Sequence, residues 1–350
     1  MPNLMVKHDG AIGDCGYTIP ALNALKEAYQ YIYQSCTNRG LTALQDTGLI
    51  DKFIVKPKGF REWKEWEQRA WLVSETAEID FDRVINFHGV VPGKYLFHLK
   101  DRQSQQSQAD KIANAKGINF FDEMSRRAET PEAIGQRPIT RHLHHERIWL
   151  RNFRLSYGIP DNAYIIGWHF AGSGPIKWYP HFDKVMQKGI MRMYDDVYVV
   201  ALGDTEGKMD WDSKYHHGRY INFRGTFRQA YILTSIMDLL IAPETSVYVF
   251  AQAYTTPKIL LATHTDGTHI TCGTETIILY PECDCAPCYN IVWDCTKHPD
   301  GDYPLCIGSI RPETIIKAIE SKMIPFDTEE SLGVGALDHR NPKSSISPSL

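Results

Sequence analysis

Short apolar runs alternate with helical segments through the second half of this 350-residue chain. Strands alternating with helices predict parallel, doubly wound sheets, which bind their ligands beyond the carboxyl ends of the strands. The pattern therefore predicts an α/β fold class and the sheet edge at which a site lies. The predicted strands are 163–168, 197–202, 220–223, 239–242 and 258–262, and the predicted helices are 182–186, 227–236 and 247–254.

The first half shows a similar but sparser pattern. Its predicted elements are strands 4–7 and 83–87, a helix after Pro20 whose apolar spacing continues to Ile32, a helix over 62–71 with Trp63, Trp66 and Ala70 on one face, and a surface loop or helix end at 101–110. The chain length favours two domains. A basic helix within 141–162 marks the boundary, giving an N-terminal domain over 1–155, a C-terminal domain over 156–325 and a flexible tail over 326–350.

Composition and charge exclude some classes of protein. Hydrophobic residues make up 43% of the chain and charged residues 23%, as in ordinary soluble globular proteins. The net charge of −4 gives no global basic field, which disfavours a nucleic-acid partner, although the basic stretch 137–154 permits one locally. The chain contains no apolar run long enough to span a bilayer and no signal-peptide pattern, so a cytoplasmic protein without a transmembrane segment is predicted.

A glycine-rich turn at 10–20, GAIGDCGYTIP, joins the first strand to a helix and carries Asp14 at its centre. Glycine-rich turns of this kind usually cradle phosphate through backbone N–H groups, often with a lysine. A carboxylate would repel that anion, so Asp14 either caps the helix or serves another chemistry.

Two other loops lie where the predicted strands end. The loop HFAGSGPIKWYP at 169–180 offers small residues, Ser173 and Lys177, which suit a diphosphate. The segment APETS at 242–246 places Glu244, Thr245 and Ser246 at a helix start. Each loop also has a plain structural interpretation, as a turn or a helix cap.

Taken in order, these blocks resemble the ADP-heptose:lipopolysaccharide heptosyltransferase family of glycosyltransferases. The resemblance covers about residues 4 to 267 and is carried by GAIGDCGYTIPALNAL at 10–25, VINFHG at 84–89, GWHFAGSGPIKWYPHF at 167–182, VVALGDTEGK at 199–208 and the long block at 223–267. It implies a GT-B architecture, in which two Rossmann-like domains face each other across a cleft. The acceptor would lie mostly on the N-terminal side and the nucleotide-sugar on the C-terminal side.

The resemblance also implies an inverting reaction that needs no metal for transfer. By motif position, Asp14 matches the general base, Lys177 the cation on the donor diphosphate and Glu206 the acid near the ribose hydroxyls. Glu244 and Thr245 fall on the family's D-T-G block, whose acid helps to hold the donor sugar and whose helix start faces the phosphates, and Ser246 stands in place of its glycine. Together with Ser173, Lys177 and Glu206, these three residues form the predicted donor-binding set. Gly13 and His88 are placed on the acceptor side.

The D-T-G-x-x-H block differs here in three positions. Glu244 is one methylene longer than the family's Asp, Ser246 replaces Gly, and Val249 stands where the family has His. The diphosphate site does not depend on these positions, but the donor sugar does. The resemblance therefore predicts a nucleotide-sugar donor without naming the sugar.

Six of the eight cysteines lie between residues 272 and 306. The C-x-C and C-x-x-C spacings of Cys283, Cys285, Cys288 and Cys295 suit a structural zinc, and buried free thiols are the alternative. No catalytic cofactor is predicted.

The leading hypothesis is a glycosyltransferase acting on a hydroxyl acceptor such as a glycan. Two alternatives stay open. One is transfer to a modified nucleic-acid base, and the other is a non-catalytic protein that binds sugar nucleotides.

Overall fold

The computed structural model describes residues 2–91, 97–98, 108–170, 172–203, 218–273, 275–291, 295 and 303–323. Within these residues the strands form a four-stranded sheet, a six-stranded sheet and a two-stranded pair, and every pairing is parallel. The α/β prediction is therefore confirmed. The strands are Asn3–His8 (β1), Tyr31–Cys36 (β2), Lys52–Val55 (β3), Arg83–Asn86 (β4), Phe97–His98 (β5), Tyr164–His169 (β6), Val197–Leu202 (β7), Tyr220–Phe223 (β8), Leu239–Pro243 (β9), Lys258–Leu261 (β10), Thr276–Leu279 (β11) and Asn290–Ile291 (β12).

Helices connect most of these strands. The α-helices are Ile12–Gly16 (α1), Ile19–Ala28 (α2), Asn38–Leu44 (α3), Glu65–Thr76 (α4), Gln108–Ala115 (α5), Phe120–Ala128 (α6), His144–Ser156 (α7), Phe182–Val185 (α8), Met191–Met193 (α9), Phe227–Leu233 (α10), Ser246–Ala251 (α11), Leu305–Ser309 (α12) and Pro312–Met323 (α13). Short 3₁₀ turns cover Phe60–Glu62, Pro131–Ala133, Pro175–Lys177, Thr234–Ile236 and Gly267–Ile270, and a π-helical turn covers Met186–Ile190.

The four-stranded sheet has the order β3-β2-β1-β4. The chain adds β2 and β3 on one side of β1 and then crosses to add β4 on the other side. Its connections therefore diverge at the carboxyl ends of β1 and β4, the position where α/β sheets form ligand crevices.

The apolar helical spacing that the sequence extends to Ile32 is broken in the structure. Helix α2 ends at Ala28, and the following residues form β2 between β1 and β3. Tyr31, Ile32 and Tyr33 are aromatic or β-branched and fit a pleated surface better than a helix. The prediction of one continuous helix was wrong here because two strand pairings outweigh the helical periodicity.

The six-stranded sheet has the order β11-β10-β9-β6-β7-β8 and diverges in the same way between β6 and β9. Both of its faces are buried. Ile165 packs into one core cluster and the next residue, Ile166, into the other, and both side chains are 0% exposed. Near-continuous apolar runs are what a parallel sheet covered on both faces requires.

Two glycines of α1 bring the first half of the chain against the second. A Cβ at Gly13 would lie 3.6 Å from Ser246 Cα, and one at Gly16 would lie 2.7 Å from Val249 Cγ1 and 2.8 Å from the Phe250 ring. Only glycine allows α1 to approach α11 this closely at Gly16. The Asp14 loop is thereby held against the start of α11.

A buried ion pair makes a second connection. The Arg228 guanidinium on α10 binds the Glu146 carboxylate on α7 and also donates to the Tyr231 hydroxyl at 2.6 Å and to the carbonyl of Arg141 at 2.9 Å. A bidentate, hydrogen-bonded pair of this kind fixes the angle of the long helix that precedes β6.

Other predicted elements agree or differ in detail. Helix α4 begins at Glu65 rather than 62, extends to Thr76 and contains no buried residue, and Trp66 is 65% exposed. Residues 101–107 and the tail 326–350 lie outside the described residues, and the domain limits stay predictions. In the described part of the chain, no helix is both long enough and apolar enough to cross a membrane.

Candidate functional site

Loops from both sheets meet where the strand orders diverge. The first sheet contributes the loop after β1, with Asp14, and the loop after β4, with His88. The second contributes the loop after β6, with Lys177, and the β9–α11 junction, with Glu244. Parallel strands bring distant parts of a sequence to one edge in this way.

Asp14 lies in the first turn of α1 and is half-buried. Its Oδ2 accepts the N–H of Ala11 at 2.9 Å, so one oxygen stabilises the helix start. Within the described residues, no group donates a hydrogen bond to Oδ1. The carboxylate can therefore hold its helix and still present one oxygen to another molecule, and the capping and functional interpretations do not exclude each other.

Lys177 is positioned by the glycine loop that the sequence highlights. A Cβ at Gly172 would lie 2.5 Å from both Cβ and Cδ of Lys177, so the lysine stem packs directly over that glycine. The Trp178 indole donates to the Gly172 carbonyl at 3.2 Å and closes the loop. Gly172 is thus needed for close packing, and its small size determines the direction of the lysine side chain.

The charges around Lys177 show what it faces. Burial lowers the pKa of Lys177, while the nearby carboxylates of Glu244 and Asp14 raise it. Among the described residues Lys177 forms no ion pair within 4.0 Å, so its ammonium group is close to both acids without being neutralised by direct contact. Asp14 and Lys177, 163 positions apart in the sequence, share one electrostatic environment.

His169, at the end of β6, lies beside this lysine. The ring fills the space that a side chain at Gly203 would occupy, with Nε2 2.6 Å from an added Cβ, and Gly203 has a φ of +87°. Burial first, and then the charge of Lys177, lowers the pKa of His169 to about 4. The imidazole is therefore neutral at physiological pH and adds no second positive charge beside Lys177.

Glu244 binds the loop that follows β10. Its Oε1 accepts the N–H groups of Thr263 and Thr265, each at 3.0 Å, and the Thr265 hydroxyl at 2.9 Å. Its Oε2 accepts the Thr263 hydroxyl at 3.2 Å and the His264 N–H at 3.3 Å, and it pairs with His264 Nδ1. Both oxygens are therefore fully used by the protein.

The pKa of Glu244 reflects these contacts. Burial raises it, but the His264 ring, Lys177 and the Thr263 N–H lower it more, to about 2. A carboxylate this strongly engaged positions residues 263–265. Its predicted contact with the donor sugar stays a prediction, and the geometry assigns it a loop-holding role.

The other predicted donor residues occupy varied positions. Thr245 is the N-cap of α11 and its hydroxyl accepts the Tyr248 N–H at 3.5 Å, while Ser246 lies against Gly13. Ser173 is exposed in the loop beside Lys177. Glu206 lies outside the described residues.

His88 is exposed beside a cavity of about 490 Å³ at the end of β4. The cavity is also lined by Asn86 and by Glu123, Arg126 and Arg127 of α6. Arg127 is anchored at the cavity wall through a 3.0 Å hydrogen bond from Nε to the Asn86 carbonyl. This is the space available on the side of the site predicted for the acceptor.

None of the eight cysteines forms a disulfide, and all eight belong to the described residues. The Sγ atoms of Cys283 and Cys285 lie 3.5 Å apart, close enough to share one metal ion. Across the described ranges, however, no group of three or more His, Cys, Asp or Glu side chains is arranged to hold a metal. The fit is thus partial, and the zinc site stays a prediction.

Cys306 is nearer this group than the sequence suggests. Burial raises its pKa, and the charges of Cys295, Cys283 and Cys285 raise it further.

Sequence reasoning missed several residues of the site. Thr263 and Thr265 follow a predicted strand and could have been found as hydroxyls at a carboxyl edge, and His169 stands in the loop already selected. His8 ends β1 directly before the Asp14 loop and is 1% exposed. Its position at the end of a predicted strand was the sequence feature that could have identified His8.

Comparisons with known proteins agree with the fold. No protein-family model and no curated protein sequence matches the chain, whereas 82 chains of solved structures do. A family 9 glycosyltransferase from Veillonella parvula DSM 2008 is 16% identical and superimposes with a TM-score of 0.68 over 92% of this chain and 97% of its own. ADP-heptose lps heptosyltransferase II of E. coli is 12% identical, with a TM-score of 0.61 over 91% of this chain and 98% of its own.

A third similar structure is that of an iron-containing protein. The iron-containing dodecameric glycosyltransferase TibC from enterotoxigenic E. coli H10407 is 11% identical, with a TM-score of 0.56 over 92% of this chain and 76% of its own. At these identities the similarity concerns the fold. The chain therefore has the fold of family 9 glycosyltransferases and ADP-heptose heptosyltransferases, as its sequence motifs predict.

Proposed function

We propose that this protein is an inverting glycosyltransferase that transfers a sugar from a nucleotide-diphosphate donor to an acceptor hydroxyl, with no metal ion in the transfer step. The observation that carries the proposal is the meeting of Asp14 and Lys177 at the diverging strands of the two sheets. One group can take a proton and the other can hold an anion, and each comes from a different sheet. The similarity to glycosyltransferase structures supports the same conclusion.

Asp14 acts as the general base. Its Oδ1 takes the proton of the acceptor hydroxyl while that oxygen attacks the anomeric carbon of the donor sugar. The new carbon–oxygen bond forms on the face opposite the departing diphosphate, so the configuration inverts. The Ala11 N–H donates to Oδ2 during this step and so maintains the orientation of the carboxylate.

Lys177 holds the leaving group. As the bond to the diphosphate breaks, its electron pair and the developing charge pass to the phosphate oxygens. A half-buried ammonium group already held in place stabilises that charge more strongly than one in water. Since the His169 ring beside it is neutral, Lys177 supplies the positive charge at this position.

The two sides of the site divide the substrates. The N-terminal side, with Gly13, His88 and the cavity beside it, receives the acceptor, and the loops after β6 and β9, with Ser173, Thr245 and Ser246, receive the donor in a GT-B cleft. In this proposal Glu206 binds the ribose hydroxyls of the donor. Because Glu244 is occupied by its own loop, the donor sugar is recognised through residues 263–265 that it positions.

The test measures nucleotide binding by calorimetry with ADP, UDP and GDP. Lys177→Ala should weaken the preferred diphosphate about 10- to 100-fold, since a hydrogen bond to a charged group contributes about 1.5–3 kcal/mol. Lys184→Ala, an exposed lysine on the neighbouring α8, is the matched control and should change affinity less than about twofold. Equal affinities for wild type and Lys177→Ala would remove the lysine from the donor site.

Slow release of free sugar from the bound donor distinguishes an enzyme from a binding protein. A protein that binds the donor tightly but neither hydrolyses nor transfers it would be the non-catalytic alternative. Salt-dependent DNA affinity would favour a nucleic-acid acceptor.

A further inference from the structure

His8 is a buried histidine whose ring forms no hydrogen bond with another side chain of the described residues. It ends β1, is 1% exposed, and its nearest polar neighbour is the Asp14 backbone. Each buried polar atom left unpaired costs about 1–3 kcal/mol, and native proteins retain few of them. A residue kept in this state calls for a reason other than stability.

The ring faces Asp14 across Gly10. A Cβ at Gly10 would lie 2.7 Å from His8 Cε1, 2.7 Å from Asp14 Cβ and 2.9 Å from Asp14 Oδ2. The imidazole and the carboxylate therefore flank a single gap that only glycine leaves open. The ring is held on its other side by an edge contact with Phe87, with centroids 6.3 Å apart.

Ionisable groups from the loops after β1 and β4 affect the pKa of His8. Burial lowers its pKa, while the Asp14 backbone and carboxylate and the Asp9 carboxylate raise it, and His88 lowers it. The Cys15 and Cys36 thiols nearby stay neutral, because burial raises the pKa of Cys15 well above its usual value and that of Cys36 to about 12. His8 is therefore an uncharged base beside a carboxylate.

We propose that His8 is a positioning residue for Asp14 and the next acceptor of the transferred proton. The inference rests on the proposed function, in which Asp14 takes the proton of the acceptor hydroxyl. The proton then passes, through one water molecule, from the Asp14 carboxylic acid to a ring nitrogen of His8, which becomes an imidazolium and leaves the carboxylate ionised. From there it is lost to water past His88, which is exposed at the end of β4.

The first measurement does not depend on activity. In ¹⁵N-labelled protein the His8 ring should titrate below 6.5, and its pKa should fall further in Asp14→Asn, because the amide no longer stabilises the imidazolium. A His8 titration unchanged by Asp14→Asn overturns the pairing. If the pairing is present but no donor is ever turned over, the proposed function fails and the contact between the two residues stands.

The second measurement uses transfer rates. His8→Gln should lower kcat about 10- to 100-fold with donor affinity within about twofold, and the exposed His144→Gln is the control. Because His8 acts through Asp14, the double variant should be no slower than Asp14→Asn alone, and the acid limb of the kcat profile should move to lower pH in His8→Gln. Multiplicative losses in the double variant would overturn the proposal.

A stability measurement covers the case in which His8→Gln folds poorly. His8→Met replaces two buried polar atoms with an apolar chain, so its melting temperature should equal or exceed that of wild type while its kcat falls as in His8→Gln. A histidine with a purely structural role would lose stability and retain turnover per folded molecule.

Discussion

Replacing Glu244 with glutamine tests how strongly one carboxylate organises the donor side of the site. Backbone N–H groups donate to both oxygens of Glu244. Whichever oxygen the glutamine NH₂ replaces, it therefore faces an N–H donor that has lost its acceptor. The least costly orientation puts NH₂ at Oε2 and leaves the His264 N–H without its acceptor. One stranded backbone donor costs about 1–3 kcal/mol, and the contacts that remain lose their charge assistance.

The pKa of Glu244 gives an independent magnitude. Its value falls from 4.5 to about 2 on folding, which corresponds to about 3 kcal/mol of stabilisation at neutral pH. The two routes agree on a loss of about 2–4 kcal/mol for Glu244→Gln. Because the folded pKa is the lower one, this contribution is complete above pH 4.5 and disappears as the pH falls towards 2.

Urea unfolding followed by tryptophan fluorescence measures the effect. The gap between wild type and Glu244→Gln should be full at pH 7 and should shrink as the pH is lowered below 4.5. Glu282→Gln breaks an exposed pair with Arg311 and should change stability by less than about 0.5 kcal/mol. A Glu244→Gln protein within about 0.5 kcal/mol of wild type at pH 7 would refute the loop-holding role.

Three further predictions concern the base, the contact between the sheets and the cysteines. Asp14→Asn should reduce transfer about 10²- to 10⁴-fold with donor affinity retained, and an enzyme that keeps most of its rate would leave Asp14 as a helix residue only. Gly16→Ala should destabilise the protein by about 1–3 kcal/mol in urea, because the new methyl group meets Val249 and Phe250, and an unchanged midpoint would contradict the packing. Purified protein should contain about one equivalent of zinc, whose chelation lowers the melting temperature, whereas metal-free protein of equal stability would favour buried thiols.

Periodicity and turn chemistry predicted most strands of the second sheet. β6 lies one residue later than predicted, β9 ends one residue later and β10 ends one residue earlier. These strands could be predicted because buried parallel strands are apolar throughout. β2, β3 and β11 were not predicted. Lys52–Val55 and Thr276–Leu279 are edge strands of four residues, and they are strands because β2 and β10 pair with them.

The sequence by itself determined the α/β class and predicted Asp14 and Lys177 as charged groups at the carboxyl edge of the strands, because strand ends and glycine loops are local features. Only the tertiary structure decided which side chains share an environment. It brought the charge of Asp14 to bear on Lys177, turned Glu244 towards residues 263–265 and placed His8 beside Asp14. Those outcomes depend on strand order and on close approach at Gly10, Gly16 and Gly172, where contacts form between residues far apart in the chain.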